Sequence, residues 1–233
     1  MTPLASAAWL GLVGLLASAL LAGLHVATRD RIAARERDRA LEQLDAVLPR
    51  SVYDNDPLTD VVFVRDQRLG PGLHRVHRAR RAGRPVAMAI GAVTLDGYAG
   101  PIALIAGLAV NGRVLGVRVL AHSETPGLGD PIEKRRSDWI DGFAGRALGD
   151  PPVERWTVRP DGGDFDAFTG ATITPRAVTA AVRRVLEYHG AERDCLYALP
   201  SSPLGGGGPH AGPSGAGAPD DGPSTPREPE EKS

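Results

Sequence analysis

The sequence offers almost no thiol chemistry. Cys195 is the single cysteine among 233 residues. One thiol cannot form an internal disulfide, a four-cysteine zinc site or a four-cysteine iron–sulfur cluster. We interpret Cys195 as a surface or partly packed thiol, and we expect any redox centre of this chain to be an added organic cofactor.

Signals for nicotinamide, nucleic-acid and metal binding are also missing. No Gly-x-Gly-x-x-Gly pattern follows a predicted strand, so the sequence does not indicate a nicotinamide-binding fold. The 27 basic and 28 acidic residues leave a formal net charge of −1, which gives no support to nucleic-acid binding. His210 stands isolated, and we interpret Asp164 and Asp166 as solvated turn residues, so we predict no metal site.

An uncharged apolar stretch opens the chain. Residues 4–28 consist mostly of Leu, Ala, Gly and Val. About 25 helical residues span roughly 37 Å, enough to cross a hydrocarbon core of about 30 Å. We predict that residues 1–28 form an uncleaved transmembrane anchor. A cleaved signal peptide is the alternative, but no Lys or Arg precedes the stretch, and its small-residue triplet at 17–19 lies inside the apolar run.

A charged helix is predicted to follow the anchor over residues 29–50. Leu41, Leu44 and Leu48 recur at spacings of three and four, and Pro49 ends the pattern. Its apolar stripe is expected to pack on the domain that follows. The arginines after the anchor would place that domain in the cytoplasm by the positive-inside rule, although acidic residues interleave with them.

Residues 51–198 are predicted to form one α+β domain. Short apolar runs favour four strands, at 61–64, 85–95, 102–110 and 114–120. Asn111-Gly112 is a strong hairpin signal between the last two, so we expect a mostly antiparallel sheet. Packed helices are predicted at 130–148 and 174–188. The Gly-, Pro- and Ser-rich residues 199–233 are predicted to be a disordered tail.

The stretch from Asp166 to Thr174 brings small and hydroxyl residues together directly before a predicted helix. Thr174 is predicted to cap that helix, with Pro175 at its first position. Free N–H groups and the helix dipole at such a start favour an anion such as phosphate, and Gly170 lets a ligand approach the backbone. An ordinary capped helix start is the alternative.

A second loop, from Glu124 to Gly129, leaves the predicted sheet after its last strand. Two glycines and a proline favour a loop of fixed shape with exposed N–H groups. Leu128 is an apolar residue that would lie well against a flat ring, whereas a surface turn with a solvated Glu124 is the alternative. In the stretch that follows, Trp139 and Phe143 are predicted to belong to the core.

Three patterns carry a resemblance to a known family. They are Asp166-x-x-Thr169-Gly170-Ala171-Thr172, Glu124-Thr125-Pro126-Gly127-Leu128-Gly129 and Gly97-Tyr98-x-Gly100-Pro101-Ile102. The first resembles the flavinylation motif of the FMN-binding domain family. All three, followed by Asp138-Trp139-Ile140-x-x-Phe143, resemble the G subunits of Rnf (Rsx) electron transport complexes. The likeness covers about residues 1–190.

The resemblance implies a cofactor and its position. In this family a flavin transferase, a magnesium enzyme, joins the phosphate of FMN to the last hydroxyl residue of the motif, here Thr172, through a phosphoester. The implied cofactor-binding residues are Thr172, Asp166, Thr169, Gly170 and Ala171, with a covering loop of Glu124, Thr125, Gly127, Leu128 and Gly129. Asp166 would present the motif to the transferase. No residue is expected to be a catalytic acid, base or nucleophile during turnover.

The resemblance also implies a location and partners. The flavin domain would lie in the periplasm, held at the bacterial inner membrane by the anchor, against the charge pattern that follows residue 28. It would be one relay beside other membrane, iron–sulfur and flavin subunits. Their complex exchanges electrons between ferredoxin and NAD, coupled to ion movement across the membrane. The chain would then be a redox subunit of a translocase and not a complete enzyme alone.

Three alternatives stay open. The C subunit of the sodium-translocating quinone reductase resembles this chain in its hydroxyl-Gly-Ala-Thr motif and its Gly-Leu-Gly loop. A non-redox anion-binding or scaffold module on a membrane anchor predicts a colourless purified protein. A secreted binding protein with a cleaved leader predicts a mature chain that starts near residue 28.

Overall fold

The fold is a five-stranded sheet with helices on both faces, and the computed structural model describes residues 11–18, 20, 21, 25, 35 and 37–202. The strands are β1 (Val61–Val64), β2 (His74–Arg81), β3 (Arg84–Thr94), β4 (Ile102–Ala109) and β5 (Val114–Ala121). The helices that frame the sheet are α1 (residues 37–45) and α2 (Ile173–Ala198). The predicted α+β class is confirmed for this domain.

Every strand pairs antiparallel with the next one along the chain, in the order β1-β2-β3-β4-β5. The hairpin at Asn111-Gly112 is confirmed: Gly112 has φ 83°, and the N–H of Ala109 donates to the carbonyl of Arg113 at 2.8 Å. Since β3 and β5 are both antiparallel to β4, they run in the same direction. The turn after β3 and the loop after β5 therefore leave the sheet at the same edge.

Strand β2 was not predicted, because its sequence His-Arg-Val-His-Arg-Ala-Arg-Arg shows no regular alternation of apolar and polar residues. Val76 and Ala79 are fully buried, yet Arg78 is also only 2% exposed. The Arg78 guanidinium is paired with Asp60 and donates to the carbonyls of Leu196 and Leu199. A buried cation is tolerated here because its hydrogen bonds are satisfied.

One face of the sheet carries the main core, and α2 packs against β3 and β4 on this side. Val178, Val182 and Val185 of α2 are fully buried, as their helical spacing predicts. The segment between β5 and α2 adds aromatic side chains to this core. The rings of Phe143 and Phe165 stack with centroids 4.7 Å apart.

The opposite face is covered by α1 and the turn that follows it. Leu44 and Leu48 are buried against the sheet and Leu41 is half-buried, so the predicted packing of these leucines is confirmed. The helix itself ends at residue 45 and not near residue 50, so Leu48 lies in the turn that follows it. Gly107 and Gly116 face each other on β4 and β5. A Cβ atom on Gly107 would overlap the carbonyl of Val47, so glycine is needed for the turn to lie this close to the strands.

The helix predicted over residues 130–148 is wrong. The segment forms two short 3-10 turns, Asp130–Ile132 and Trp139–Phe143, joined by bends. The Ser137 side chain donates to the carbonyl of Pro131 at 2.7 Å and accepts the N–H of Trp139 at 3.1 Å, so it takes backbone groups that a continuous helix would pair. Near the end of the segment, Gly145 takes a left-handed φ of 79°. In contrast, α2 runs ten residues further than predicted, to Ala198.

Residues 11–18 are helical and expose leucine side chains, and no helix among the described residues meets the length and hydropathy needed to span a bilayer. Most of the predicted anchor at 1–28 lies outside the described residues, as does the predicted tail from residue 203 onward. Residues 201 and 202 are tied to the domain: the N–H of Ser202 donates to the carbonyl of Val61 at 2.9 Å.

Candidate functional site

A cavity of about 250 Å³ lies where the loop after β5 meets the start of α2. Its wall comes from three segments of the chain. The lining residues are Tyr98, Glu124, Thr125, Leu128, Gly129, Gly170, Ala171, Thr172, Ile173 and Thr174. Two motifs that lie far apart in the sequence thus meet at one site, because the β3 turn, the β5 loop and the N-terminus of α2 share one edge of the sheet.

A tight turn over residues 168–171 leads into α2. The N–H of Ala171 donates to the carbonyl of Phe168 at 3.1 Å, and Gly170 has φ 80° at the third position. A positive φ at this position is typical of a type II turn and favours glycine. Leu128 approaches Gly170 from the other loop, 3.8 Å from where a Cβ atom would stand.

Thr172 occupies the N-cap position of α2 and is half-buried on the cavity wall. Its carbonyl accepts the N–H of Arg176 at 3.2 Å. Within the described part of the chain, its hydroxyl makes no capping hydrogen bond. The first N–H groups of a helix lack intrahelical acceptors, and the helix dipole places partial positive charge there. This end of α2 therefore suits an anionic group bonded to the Thr172 hydroxyl.

Thr174 is not the helix cap that its sequence position predicts. The helix begins earlier, at Ile173, so Thr174 lies inside the first turn and Pro175 at the third helical position. Pro175 costs nothing there because that N–H also lacks an intrahelical acceptor. Thr174 is 1% exposed, and its hydroxyl donates to the carboxylate of Glu124.

Glu124 is buried, which contradicts the alternative of a solvated surface carboxylate. It is 4% exposed. Its Oε1 accepts the N–H of Ala99 at 3.0 Å, and its Oε2 accepts the hydroxyl of Thr174. Gly97 and Gly129 allow this approach, since a Cβ atom on Gly129 would lie 2.9 Å from Glu124 Oε2. One carboxylate thus links all three segments that line the cavity.

The rest of the Glu124–Gly129 loop is held by its own backbone. The carbonyl of Thr125 accepts the N–H groups of Leu128 at 3.1 Å and Gly129 at 3.0 Å. Gly127 has φ 79°, and its N–H donates to Asp130 at 2.7 Å. The side chain of Leu128 is left 46% exposed at the cavity. The predicted fixed shape is therefore present, with an apolar residue at the mouth of the site. The predicted exposed N–H groups are not, because those of Gly127, Leu128 and Gly129 are bound within the loop and to Asp130.

Asp166 and Thr169 are exposed and lie outside the cavity wall. The carboxylate of Asp166 pairs with Arg159 at 2.7 Å, and its carbonyl accepts the indole N–H of Trp139 at 2.8 Å. Trp139 is half-buried and not fully in the core, and its ring meets Phe168 edge-on with centroids 5.2 Å apart. Trp139 thereby supports the start of the motif.

The described residues contain no candidate metal site. No group of three or more His, Cys, Asp or Glu side chains among them is arranged to hold a cation. Cys195 is exposed, as predicted. The apolar side chain of Leu128 and the start of α2 on its wall make the cavity a candidate for an organic ligand with an anionic group.

Sequence reasoning missed three residues of the cavity wall as site residues: Tyr98, Ile173 and Thr174. Tyr98 is 70% exposed in the turn after β3. Its signal was an aromatic residue within a Gly-rich turn, Gly97-Tyr98-x-Gly100. That pattern does not reveal that the turn meets the later Glu124–Gly129 loop, because the contact depends on strand direction.

Comparison with known proteins identifies the family to which this chain belongs. The model of the FMN-binding domain matches residues 97–187, which include every residue of the cavity wall. The chain is also 52% identical over 180 residues to the G subunit of the ion-translocating oxidoreductase complex of Stutzerimonas stutzeri, covering 77% of both chains. The chain belongs to this family of G subunits.

Other relatives agree with that assignment. The G subunit from Vibrio atlanticus is 44% identical over 182 residues, covering 78% of this chain and 87% of the relative. The C subunit of the sodium-translocating NADH-quinone reductase of Parabacteroides distasonis has a solved structure with a TM-score of 0.39 and 21% identity, over 55% of this chain and 65% of that one. A likeness of that size adds no weight to the quinone reductase alternative.

Proposed function

We propose that this chain is the FMN-carrying electron-transfer subunit of an Rnf-type ion-translocating oxidoreductase complex, with FMN bound covalently to Thr172. The observation that carries the proposal is the meeting of both motifs at one cavity, with Thr172 on its wall at the start of a 26-residue helix. Bound FMN supplies one- and two-electron transfer. The chain supplies attachment, orientation and a defined environment.

The residues present fit a flavin phosphate ester. The hydroxyl of Thr172 is not used as a cap, and the adjacent Gly170 and Ala171 leave room beside it. Leu128 and Tyr98 offer exposed apolar surface at the same cavity, which suits the edge or face of a flat ring. In contrast, Thr169 is exposed outside the cavity, and the Thr174 hydroxyl already donates to Glu124.

Attachment requires an activated flavin nucleotide, a diphosphate in which a second nucleotide is the leaving group. The oxygen of Thr172 forms a bond to the flavin phosphate, the hydroxyl proton is lost, and a nucleoside monophosphate departs. A flavin transferase performs this step in our proposal. The exposed carboxylate of Asp166 and the exposed Thr169 lie where another enzyme can reach them, so we assign them to recognition of the motif.

The proposal extends to the setting of the domain. Residues 1–28 anchor the chain in the bacterial inner membrane, and residues 51–198 form the flavin domain on its periplasmic side. The partners are the other membrane, iron–sulfur and flavin subunits of the complex, which passes electrons between ferredoxin and NAD while moving ions. What supports these statements is the family assignment together with the uncharged composition of residues 4–28.

The proposal is tested by expressing the full chain with its flavin transferase and viewing denatured protein in a gel by flavin fluorescence. Thr172→Ala is expected to remove the fluorescence, while Thr172→Ser and the control Thr169→Ala keep it. Since Thr172 makes no cap bond, we expect the free energy of unfolding of Thr172→Ala to change by less than about 0.5 kcal/mol. Fluorescent Thr172→Ala, or a colourless wild type beside an active transferase, would refute the attachment site.

A further inference from the structure

A histidine that no motif includes is bonded to the loop that lines the cavity. His122 follows β5 and precedes the Glu124–Gly129 loop, and its side chain is 9% exposed. Its Nδ1 lies 3.1 Å from the backbone nitrogen of Glu124. Its Nε2 lies 2.7 Å from Oε1 of Glu133. Both ring nitrogens are thus engaged, one by the loop and one by a carboxylate.

These contacts determine the tautomer. A backbone N–H can only donate, so Nδ1 of His122 must accept the bond from Glu124 and carry no proton. Nε2 then carries the proton and donates to Glu133. The hydrogen bond from Arg135, with a smaller one from His122, outweighs burial and lowers the pKa of Glu133 to about 2. Glu133 is therefore a carboxylate at neutral pH and remains an acceptor for His122 Nε2–H.

The bond to His122 acts on the residue that links the three cavity segments. The backbone of Glu124 is bound by His122, while its carboxylate binds the N–H of Ala99 and the hydroxyl of Thr174. Thr174 is two residues beyond Thr172 on the same helix start. A continuous series of hydrogen bonds therefore runs from Glu133 through His122 and Glu124 to the helix that bears the attachment residue.

We propose that His122 is a positioning residue of the flavin site, which fixes the Glu124 loop relative to Thr172 by accepting the Glu124 N–H at Nδ1. The proposal rests on the function proposed above. His122 lies outside the cavity wall, so its effect passes through Glu124 and not through contact with the ligand. Glu133 orients the ring, in the way that a carboxylate orients a ligating or catalytic histidine.

Two amide substitutions separate this role from general packing. Asparagine places an amide oxygen near the position of Nδ1, so His122→Asn keeps an acceptor for the Glu124 N–H and loses the contact with Glu133. Glutamine places its amide group near the position of Nε2, so His122→Gln keeps the contact with Glu133 and loses the acceptor for Glu124. The two variants are similar in polarity and differ in which bond they preserve.

The experiment uses the full-length, FMN-labelled chain and measures the visible circular dichroism and midpoint potential of the flavin, with FMN content by mass spectrometry. We expect His122→Asn to retain the wild-type dichroism and potential, and His122→Gln to lose most of the dichroism and shift the potential. Glu124→Gln is a second probe, because one amide oxygen can still accept the Ala99 N–H. We expect it to fall between the two His122 variants.

Several outcomes would overturn the positioning role. These are a His122→Gln protein with the wild-type flavin signature, a His122→Asn protein perturbed as strongly as His122→Gln, or loss of folding in both. In each case the wild type still carries FMN, so the proposed function stands while the role of His122 fails. A wild type that takes up no FMN would instead refute the proposed function, and the positioning role with it.

Discussion

The two loops that line the cavity are held in different ways. The Glu124–Gly129 loop is anchored by a buried carboxylate, by His122 and by its own backbone bonds. The motif from Asp166 to Thr172 is supported by Trp139, by the exposed ion pair of Asp166 with Arg159 and by one turn bond, and it leaves Thr169 and Gly170 exposed. In our proposal, the exposed residues of the motif are open to the transferase, whereas the firmly held loop orients the bound flavin.

Loss of the Glu124 carboxylate is expected to have the largest effect on stability, because this carboxylate anchors the Glu124–Gly129 loop. Glu124→Ala leaves the Ala99 N–H and the Thr174 hydroxyl without their acceptor in a buried position. We expect the free energy of unfolding, measured in urea, to fall by about 3 kcal/mol. The exposed Glu154→Ala is the control and should change little. Equal stability of the two variants would contradict the anchoring role of Glu124.

Lowering the pH tests the stability of helix α2 and not that of the two loops. Burial, and then the nearby Arg193, lower the pKa of His189 on α2 to about 4 from 6.5, and its Nε2 has no hydrogen-bond partner among the described residues. Above pH 6.5 the ring is neutral in the folded and the unfolded chain, so the stability is at its full value. As the pH falls from 6.5 toward 4, the unfolded chain binds a proton that the folded chain does not, and the free energy of unfolding decreases. We expect His189 to account for about 3 kcal/mol of the stability lost across this window in urea unfolding, with a further loss from His77, whose pKa burial also lowers. His189→Gln should flatten this part of the profile, and an unchanged slope would contradict the assignment.

Gly129 and Gly170 test two different reasons for a glycine in the loops. At Gly129 the reason is the lack of space for a side chain, and at Gly170 it is the backbone conformation. Gly129 has an ordinary φ of −96°, but an added Cβ would crowd Glu124 and Thr174 at 2.9–3.0 Å. Gly170 has φ 80° and a nearest neighbour at 3.8 Å. We expect Gly129→Ala to cost about 2 kcal/mol of unfolding free energy through crowding, and Gly170→Ala about 1 kcal/mol through backbone strain. The reverse order would mean that the backbone at Gly170 tolerates a side chain less well than the crowded position at Gly129.

Asp166 is expected to matter least for stability and most clearly for modification. Its ion pair with Arg159 is exposed on both sides, so Asp166→Asn should change the unfolding free energy by less than about 0.5 kcal/mol. We expect the same variant to slow FMN incorporation by the transferase in a time course followed by fluorescence. Arg159→Gln removes the same ion pair and serves as the control. If both variants label at the wild-type rate, Asp166 has no part in recognition.

Short-range patterns in the sequence predicted much of the fold. The Asn111-Gly112 hairpin, the stripe of α1 and the apolar face of α2 each depend on a few neighbouring residues. Strand β2 was missed because Arg78 is buried by partners 18 and more than 100 residues away. The helix predicted at 130–148 failed because the Ser137 side chain binds backbone groups on both sides of it and Gly145 takes a positive φ, neither of which the apolar spacing shows.

The candidate site also combines features that local patterns predict with contacts that they do not. Its motifs were recognisable, and Gly170 and Gly127 take the positive φ values that such turns require. The partner of Glu124 was not predictable, because the hydroxyl of Thr174 reaches it across 50 residues. Local patterns therefore predict a cap at Thr174 and give no role to His122. Bonds of this range depend on the common direction of β3 and β5, which local patterns do not encode.

The most direct test of the account is the position of FMN in the purified, transferase-treated chain. Trypsin is expected to release residues 156–176, which contain Thr169, Thr172 and Thr174. Fragment ions from this peptide assign the added mass to one side chain. We predict one FMN phosphoester, on Thr172. FMN on Thr169 or Thr174, or an unmodified peptide when the transferase labels another substrate, would contradict it.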